Sequence, residues 1–399
     1  MIERTIILWI SLISFSLNAQ VEIESNEDLM EYLHGKDPLV NTVLDSSKYR
    51  LQFMYTRIER DSTETHLKTF DFSNADNYFY PASMVKLPTA LVSFEKLKKH
   101  GVSRESYLKI HRDQVCGNMG YIEETEKGRL TFTKMTRELM AVSNNTYYNT
   151  FYHLATPKRL NDRLIEQGFE KTKIYKSFTG CEMPLNLYCN SLTITDEATK
   201  KTVIQNGEML PLSEVGNRLP YTESKLLGSR HEYRGEIVEG RFDFNYNLEY
   251  PLSDMHYTLA RLALPEQFPP EMRWDIREED RLFILDAMQL VPNELANKDY
   301  HDNKNYPDNV FKYLVLGDDN EAYKDVISHG KMGISYGFVT ESTYIVDTVN
   351  NVDFILTVNL YVNANDVVND GKYEYEDVAR PFMAKFGQLI LEYERQRKK

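Results

Sequence analysis

The feature that most constrains this chain is where its β signals fall. Three follow one another near the C-terminus: VISHGKMGIS, YGFVTESTYIVDTV and VDFILTVNLYV, with Asn350-Asn351 turning the last pair. At the other end RLQFMYTRI, residues 50–58, alternates well enough for a strand, and residues 67–71 suggest a second. Helical patterns lie between: from Ser83 to about His100, then 133–142, 146–154, 157–167, 251–264 and 276–291. Two more are expected outside them, an N-terminal helix over 26–45 and an amphipathic one over 376–395. Strands at both ends with helices in the middle predict an α/β chain of α+β layout. One antiparallel sheet is built from both termini, with flanking helices and a mainly helical subdomain. A small-molecule cleft is then expected where the two parts meet.

The ends and the charge narrow the function. An apolar stretch from Thr5 to Leu17 is followed by Asn18-Ala19-Gln20. It is short for a bilayer core of roughly 30 Å and has a small residue before a cut, as in an export signal. The expected organisation is a signal peptide over 1–19 and one catalytic domain over 20–399, with an insertion around 190–250. The mature protein is expected to be periplasmic or secreted, without a stable membrane span. The net charge of −13, with no basic stripe, argues against a nucleic-acid partner. Cys116, Cys181 and Cys189 fit no zinc spacing. A Cys181–Cys189 bridge and three buried thiols are both open. His231-Glu232 begins like H-E-x-x-H, but Gly235 stands where the second histidine belongs. No cofactor or metal is expected.

Three short elements carry chemistry. In Ser83-Met84-Val85-Lys86 the serine and lysine share a helical face. A partly desolvated lysine can take the serine proton, and the first-turn N–H groups suit an oxyanion. Alone, the spacing fits a solvated lysine equally well. In Ser143-Asn144-Asn145 a hydroxyl could relay a proton and an amide could hold a carbonyl, or the asparagines could simply cap a helix. In Lys331-Met332-Gly333 a cation meets a strand that substrate can approach closely. Gly117–Tyr121 is a candidate lining for the cleft mouth.

Taken together and in order, SMVK, SNN and KMG resemble the S-x-x-K, S-D-N and K-T-G signature of class A β-lactamases and related penicillin-recognising serine hydrolases. Ser83 and Ser143 lie 143 − 83 = 60 residues apart, similar to the family's spacing. CEMPLN, with Glu182, Leu185 and Asn186, is similar to the family's E-x-x-L-N loop, and the resemblance covers roughly residues 27 to 395. It implies Ser83 as the acylated nucleophile and Lys86 as its base or relay. Ser143 would protonate the leaving nitrogen, and Asn145 would bind the substrate amide. Lys331 and Gly333 would face the substrate carboxylate and backbone. The N–H groups of Ser83 and Ile334 would form the oxyanion hole, and Glu182 with Asn186 would activate water against the acyl-enzyme. Met332 and Asn144 depart from the signature. The function expected is an exported serine hydrolase acting on β-lactams or related acyl substrates. The alternatives are a D-alanyl-D-alanine peptidase or esterase on the same scaffold, or a non-catalytic binder of cell-wall fragments.

Overall fold

Val352–Tyr361 is buried along its whole length. Its side chains alternate between two cores, as a strand's period of two demands. Phe354, Leu356, Val358 and Leu360 enter one core, Ile355 and Tyr361 the other. A strand apolar on both faces must lie inside a sheet covered on both sides. The computed structural model describes residues 21–23, 27–60, 64–74, 77–111, 113, 130–181, 184–216, 221–318 and 320–397, and places this strand at the centre of a six-stranded sheet.

The strands are β1 (Val21–Ile23), β2 (Gln52–Arg60), β3 (Thr65–Asp71), β4 (Ile327–Ser335), β5 (Phe338–Asp347) and β6 (Val352–Tyr361). They lie in the order β1–β3–β2–β6–β5–β4. All neighbours are antiparallel except β1 and β3. Tyr336 and Gly337, both at positive φ (53° and 85°), form the two-residue turn between β4 and β5. β4 is an edge strand.

Six helices matter for the site: α1 (Lys86–His100), α2 (Phe132–Ala141), α3 (Asn145–Ala155), α4 (Leu252–Ala263), α5 (Glu278–Gln289) and α6 (Arg380–Arg397). The larger core joins the sheet to α1–α5 through Leu91, Phe94, Phe151, Leu259 and Ile284. The second core lies on the other face, under Phe382, Phe386 and Ile390 of α6. Among the described residues no helix is long and apolar enough to cross a membrane. Residues 1–20 and 114–129, which hold the expected export signal, Cys116 and Gly117–Tyr121, lie outside the described residues.

Two expectations need correction. The single helix over 26–45 is two, Glu27–Leu33 and Pro38–Leu44. Gly35 turns the chain at φ 78°. Asp37 then caps a new helix, its Oδ1 accepting from Leu39 N (2.8 Å) and Val40 N (3.1 Å) ahead of Pro38 at the first position. Neither cysteine reading holds: Cys181 is disulfide-bonded, so the three are not all free thiols, while Cys189 is a free, buried thiol whose Sγ donates to Tyr152 O, so the Cys181–Cys189 bridge does not form.

Residues 205–250, which show no period in the sequence, fold into short strands including Arg230–Tyr233 and Glu236–Glu239. Phe242 and Phe244 from this stretch pack on Tyr336, and Phe244 also on Tyr80.

Two buried histidines of the helical layer are neutral, His256 against the sheet and His153 beside Asn190. His256 Nε2 lies 2.6 Å from Thr56 Oγ1, and its Nδ1 lies 2.9 Å from Thr357 Oγ1. His153 Nδ1 accepts from Asn190 N at 3.2 Å. Burial pushes His256 down to about 3 and His153 to about 4. Both folded values lie below the 6.5 of an unfolded histidine. The unfolded chain therefore takes up the protons first, and stability falls as pH drops below about 6.5. Urea denaturation at pH 7.5 and pH 5 should differ by about 2 kcal/mol for each histidine. His256→Gln should remove its share of the slope, and an unchanged slope would show that the ring is not held neutral.

Candidate active site

The segment carrying Ser83 is a 3-10 turn, Ala82–Val85, that passes directly into α1 at Lys86. The switch places Pro88 in the first turn of the α-helix, where a missing N–H costs little. Ala82, just before Ser83, has φ 45°, and Ser143 has φ 55°. Such backbone is unfavourable for non-glycine residues and persists where surrounding structure enforces it, commonly at functional sites. Ser83 is half-buried, and among the described residues its N–H has no backbone acceptor.

Lys86 is fully buried. Its Nζ donates to Ser143 Oγ (2.8 Å), Asn145 Oδ1 (2.7 Å) and Ser143 O. The Phe178 ring lies 5.5 Å away. These contacts use all three ammonium protons, and none goes to Ser83. Burial, reinforced by the nearby Lys331, holds Lys86 well below the usual lysine range.

Asn144 is the helix cap. Its Oδ1 accepts from Tyr147 N (3.2 Å), and its Nδ2 reaches Glu138 Oε2 (3.5 Å). It thereby sets the start of α3, where the exposed Asn145 faces Lys86.

Lys331, also fully buried, comes from β4. Its Nζ donates to Ser143 Oγ (3.0 Å) and Met332 O (2.8 Å). Ser143 Oγ thus lies between two lysines. Its lone pairs take their protons, and its own proton is left to donate. Burial, then the Lys312 charge, pulls Lys331 down to about 7 against the opposing pull of Glu341. Met332 points the other way, fully buried in the second core, so no hydroxyl stands beside Lys331 at that position. Ile334 is half-buried near the end of β4.

Gly333 sets the separation between β4 and the nucleophile turn. A Cβ there would stand 2.6 Å from Pro81 O, 2.9 Å from Ser83 N and 3.0 Å from Met84 N, all backbone atoms. Only glycine lets the strand edge come this close.

Asn186 is buried in the loop that follows Phe178. Its Oδ1 accepts from Ser177 N (2.7 Å) and Ser177 Oγ (2.6 Å), and its Nδ2 donates to Cys181 O (2.7 Å). Its side chain therefore ties this loop together. Glu182 lies outside the described residues. Phe178 and Phe311, 5.7 Å from Lys331, were not singled out from sequence. Nor were Lys312 and Glu341, although a charge inside an otherwise apolar or hydroxyl-rich strand, as in FVTESTYIV, is a signal of burial with a purpose. Among the described residues no three His, Cys, Asp or Glu side chains converge as metal ligands.

A sequence profile described as "Beta-lactamase enzyme family" matches residues 39–210. That stretch holds Ser83, Lys86, Ser143 and Asn145 but not Lys331. Of solved structures, TLA-1 extended spectrum β-lactamase superposes with TM-score 0.50 at 12% identity, covering 90% of this chain and 99% of that one. The fold is that of the β-lactamase superfamily. A class A β-lactamase from Bacteroides cellulosilyticus DSM 14838 gives TM-score 0.47 at 11% identity, with 88% of this chain and 94% of that one covered. PBP-A gives 0.49 at 12%, with 93% and 98% covered. No curated protein matches the chain. In this β-lactamase-like fold, Ser83, Lys86, Ser143, Asn145 and Lys331 come from three separate elements and meet at one edge of the sheet.

Gly333→Ala should push β4 away from the nucleophile turn. A displacement near 1 Å at a reacting centre costs on the order of 10²-fold in rate. The labelling rate of Ser83 by a fluorophosphonate should fall by about that factor while the circular dichroism spectrum is kept. Labelling at the parental rate would mean that the strand does not define the site.

Proposed function

We propose that the protein is an exported serine hydrolase that works through an acyl-enzyme on the amide of β-lactams or related acyl substrates. The observation that carries this reading is the buried Lys86, three residues beyond Ser83 and bonded to Ser143 and Asn145. Its lowered affinity for a proton lets it serve as a base more readily than an ordinary lysine. As a free amine, Lys86 gives up one of its three donated bonds and offers a lone pair. It takes the Ser83 proton, directly or through Ser143, as Ser83 Oγ bonds to the substrate carbonyl carbon.

The oxyanion is received by the N–H of Ser83 and, across the gap that Gly333 allows, by that of Ile334. Collapse of the adduct breaks the C–N bond. The nitrogen takes the Ser143 hydroxyl proton, which Lys86 then replaces. Asn145 holds the substrate amide, and Lys331 attracts its carboxylate. Glu182 activates the water that releases the acyl group, within a loop tied by Asn186.

A second reading is favoured by Met332. With its side chain in the core, the carboxylate anchor is Lys331 without a hydroxyl on the residue that follows it. That suits a D-alanyl-D-alanine peptidase or an esterase on the same scaffold. Turnover of a D-Ala-D-Ala peptide without turnover of a coloured cephalosporin would select it.

Incubation with benzylpenicillin should add one penicilloyl mass to the intact protein, and Ser83→Ala should abolish the adduct. Lys86→Met should slow its formation by about 10²- to 10⁴-fold, the usual worth of a positioned base. Glu182→Gln should prolong its lifetime. An adduct that persists in Ser83→Ala, or none on the parent protein with either β-lactam or peptide, would overturn the reading.

A further inference from the structure

Among the described residues, Lys331 hydrogen-bonds to no carboxylate: its Nζ contacts are Ser143 Oγ and Met332 O. Its charge is instead framed by a buried group that the chemistry above does not use. The segment 311–314 wedges against the back of β4. Phe311 places its ring 5.7 Å from Lys331 Nζ. The buried Lys312 donates to Met288 O (2.5 Å) and to Ser328 O on β4 (3.1 Å). The N–H groups of Tyr313 and Leu314 both donate to Glu341 Oε2, at 2.9 Å each. Glu341 sits on β5 opposite Met332, fully buried. Its second oxygen, Oε1, is buried with no hydrogen-bond partner among the described residues. A Cβ on Gly330 would stand 3.2 Å from that oxygen, so the free end of the carboxylate lies over the backbone one residue before Lys331.

We propose that Glu341 and Lys312 are positioning residues that set the charge of Lys331, and with it the pH range in which the site accepts a carboxylate-bearing substrate. This rests on Lys331 being the anchor for that carboxylate. Lys86 at the start of α1 reaches the same Ser143 Oγ as Lys331, Lys312 lies on the wedge, and Glu341 lies behind the Lys331 strand, on the face of the sheet that Met332 enters. Glu294 acts on Lys312. His329, on the same strand, is turned to Leu285 O and feels Asp286 of α5. Glu341, its carboxyl pushed up to about 7 by burial, favours a charged Lys331 once it is ionised, and Lys312 opposes it. Removing the carboxylate therefore makes Lys331 lose its proton at lower pH, and removing the Lys312 ammonium has the opposite effect.

The test is a titration of the full chain with 13Cε-labelled lysine, Lys331 being assigned by its loss in Lys331→Arg. Glu341→Gln keeps an acceptor for Tyr313 and Leu314 and should lower the Lys331 midpoint by about one pH unit. Lys312→Met should raise it. The alkaline limb of penicillin acylation should move with each midpoint, and acylation by an ester lacking a carboxylate should not. Midpoints that stay put, or that move the same way in both variants, overturn the proposal. If Lys312→Met does not fold, the direction in Glu341→Gln decides alone. Because the titration needs no turnover, absence of a penicillin adduct would count against the functional reading and leave this result standing.

Discussion

Two lysines share one hydroxyl. Ser143 Oγ accepts from Lys86 at 2.8 Å and from Lys331 at 3.0 Å, and both lysines are buried. Like charges about 4 Å apart repel by roughly 4 kcal/mol even at an effective dielectric near 20. Two full ammonium ions are therefore not a stable tenancy of this space. The site relaxes by holding these protons weakly: burial pulls Lys331 down to about 7, and burial together with the Lys331 charge holds Lys86 well below the usual lysine range. Lys86 and Lys331 are thus two halves of one electrostatic compromise, and the Ser143 hydroxyl between them is wired to both.

Holding that arrangement requires three elements with independent anchors. The nucleophile turn leans on β4 through backbone contact at Gly333. The Ser143 loop is fixed by the Asn144 cap and its contact to Glu138. β4 is braced from behind by the 311–314 wedge. The left-handed backbone at Ala82 and Ser143 is held by adjoining regular structure: a helix follows Ala82, and two helices flank Ser143.

Much of this was legible in the sequence, for identifiable reasons. The long strands β5 and β6 announce themselves by apolar and hydroxyl runs with turn residues between. The helix from Lys86 shows its apolar stripe and its Gly101 stop. Ser83, Lys86, Ser143 and Lys331 were legible as an ordered set, because their spacing resembles a known signature, and not because any one of them is conspicuous. What escaped depends on tertiary register. Glu341 becomes a neighbour of the Lys331 strand only once β4 pairs with β5, and no local pattern reports that pairing. The helix break at Gly35–Pro38 was hidden by a continuous apolar period on both sides. The Cys181–Cys189 pairing failed because short separation along a chain says nothing about direction. Cys189 belongs to a strand, and its Sγ is turned to Tyr152 O.

The position of β4 carries one more consequence. An edge strand with a long, flat backbone is an invitation to any other chain in extended form, and proteins usually spoil such edges with charges or bulges. On the proposed reading the edge is not spoiled near Gly333, because its backbone there is what a substrate must reach. The nucleophile turn, pressed against it at the one position where a methyl group would not fit, serves as its cover. The spacing that exposes Ser83 to a small acyl group also leaves no room beside Gly333 for a whole strand. Selectivity for a compact guest over a polypeptide neighbour is then a matter of width, and a single glycine sets the gauge.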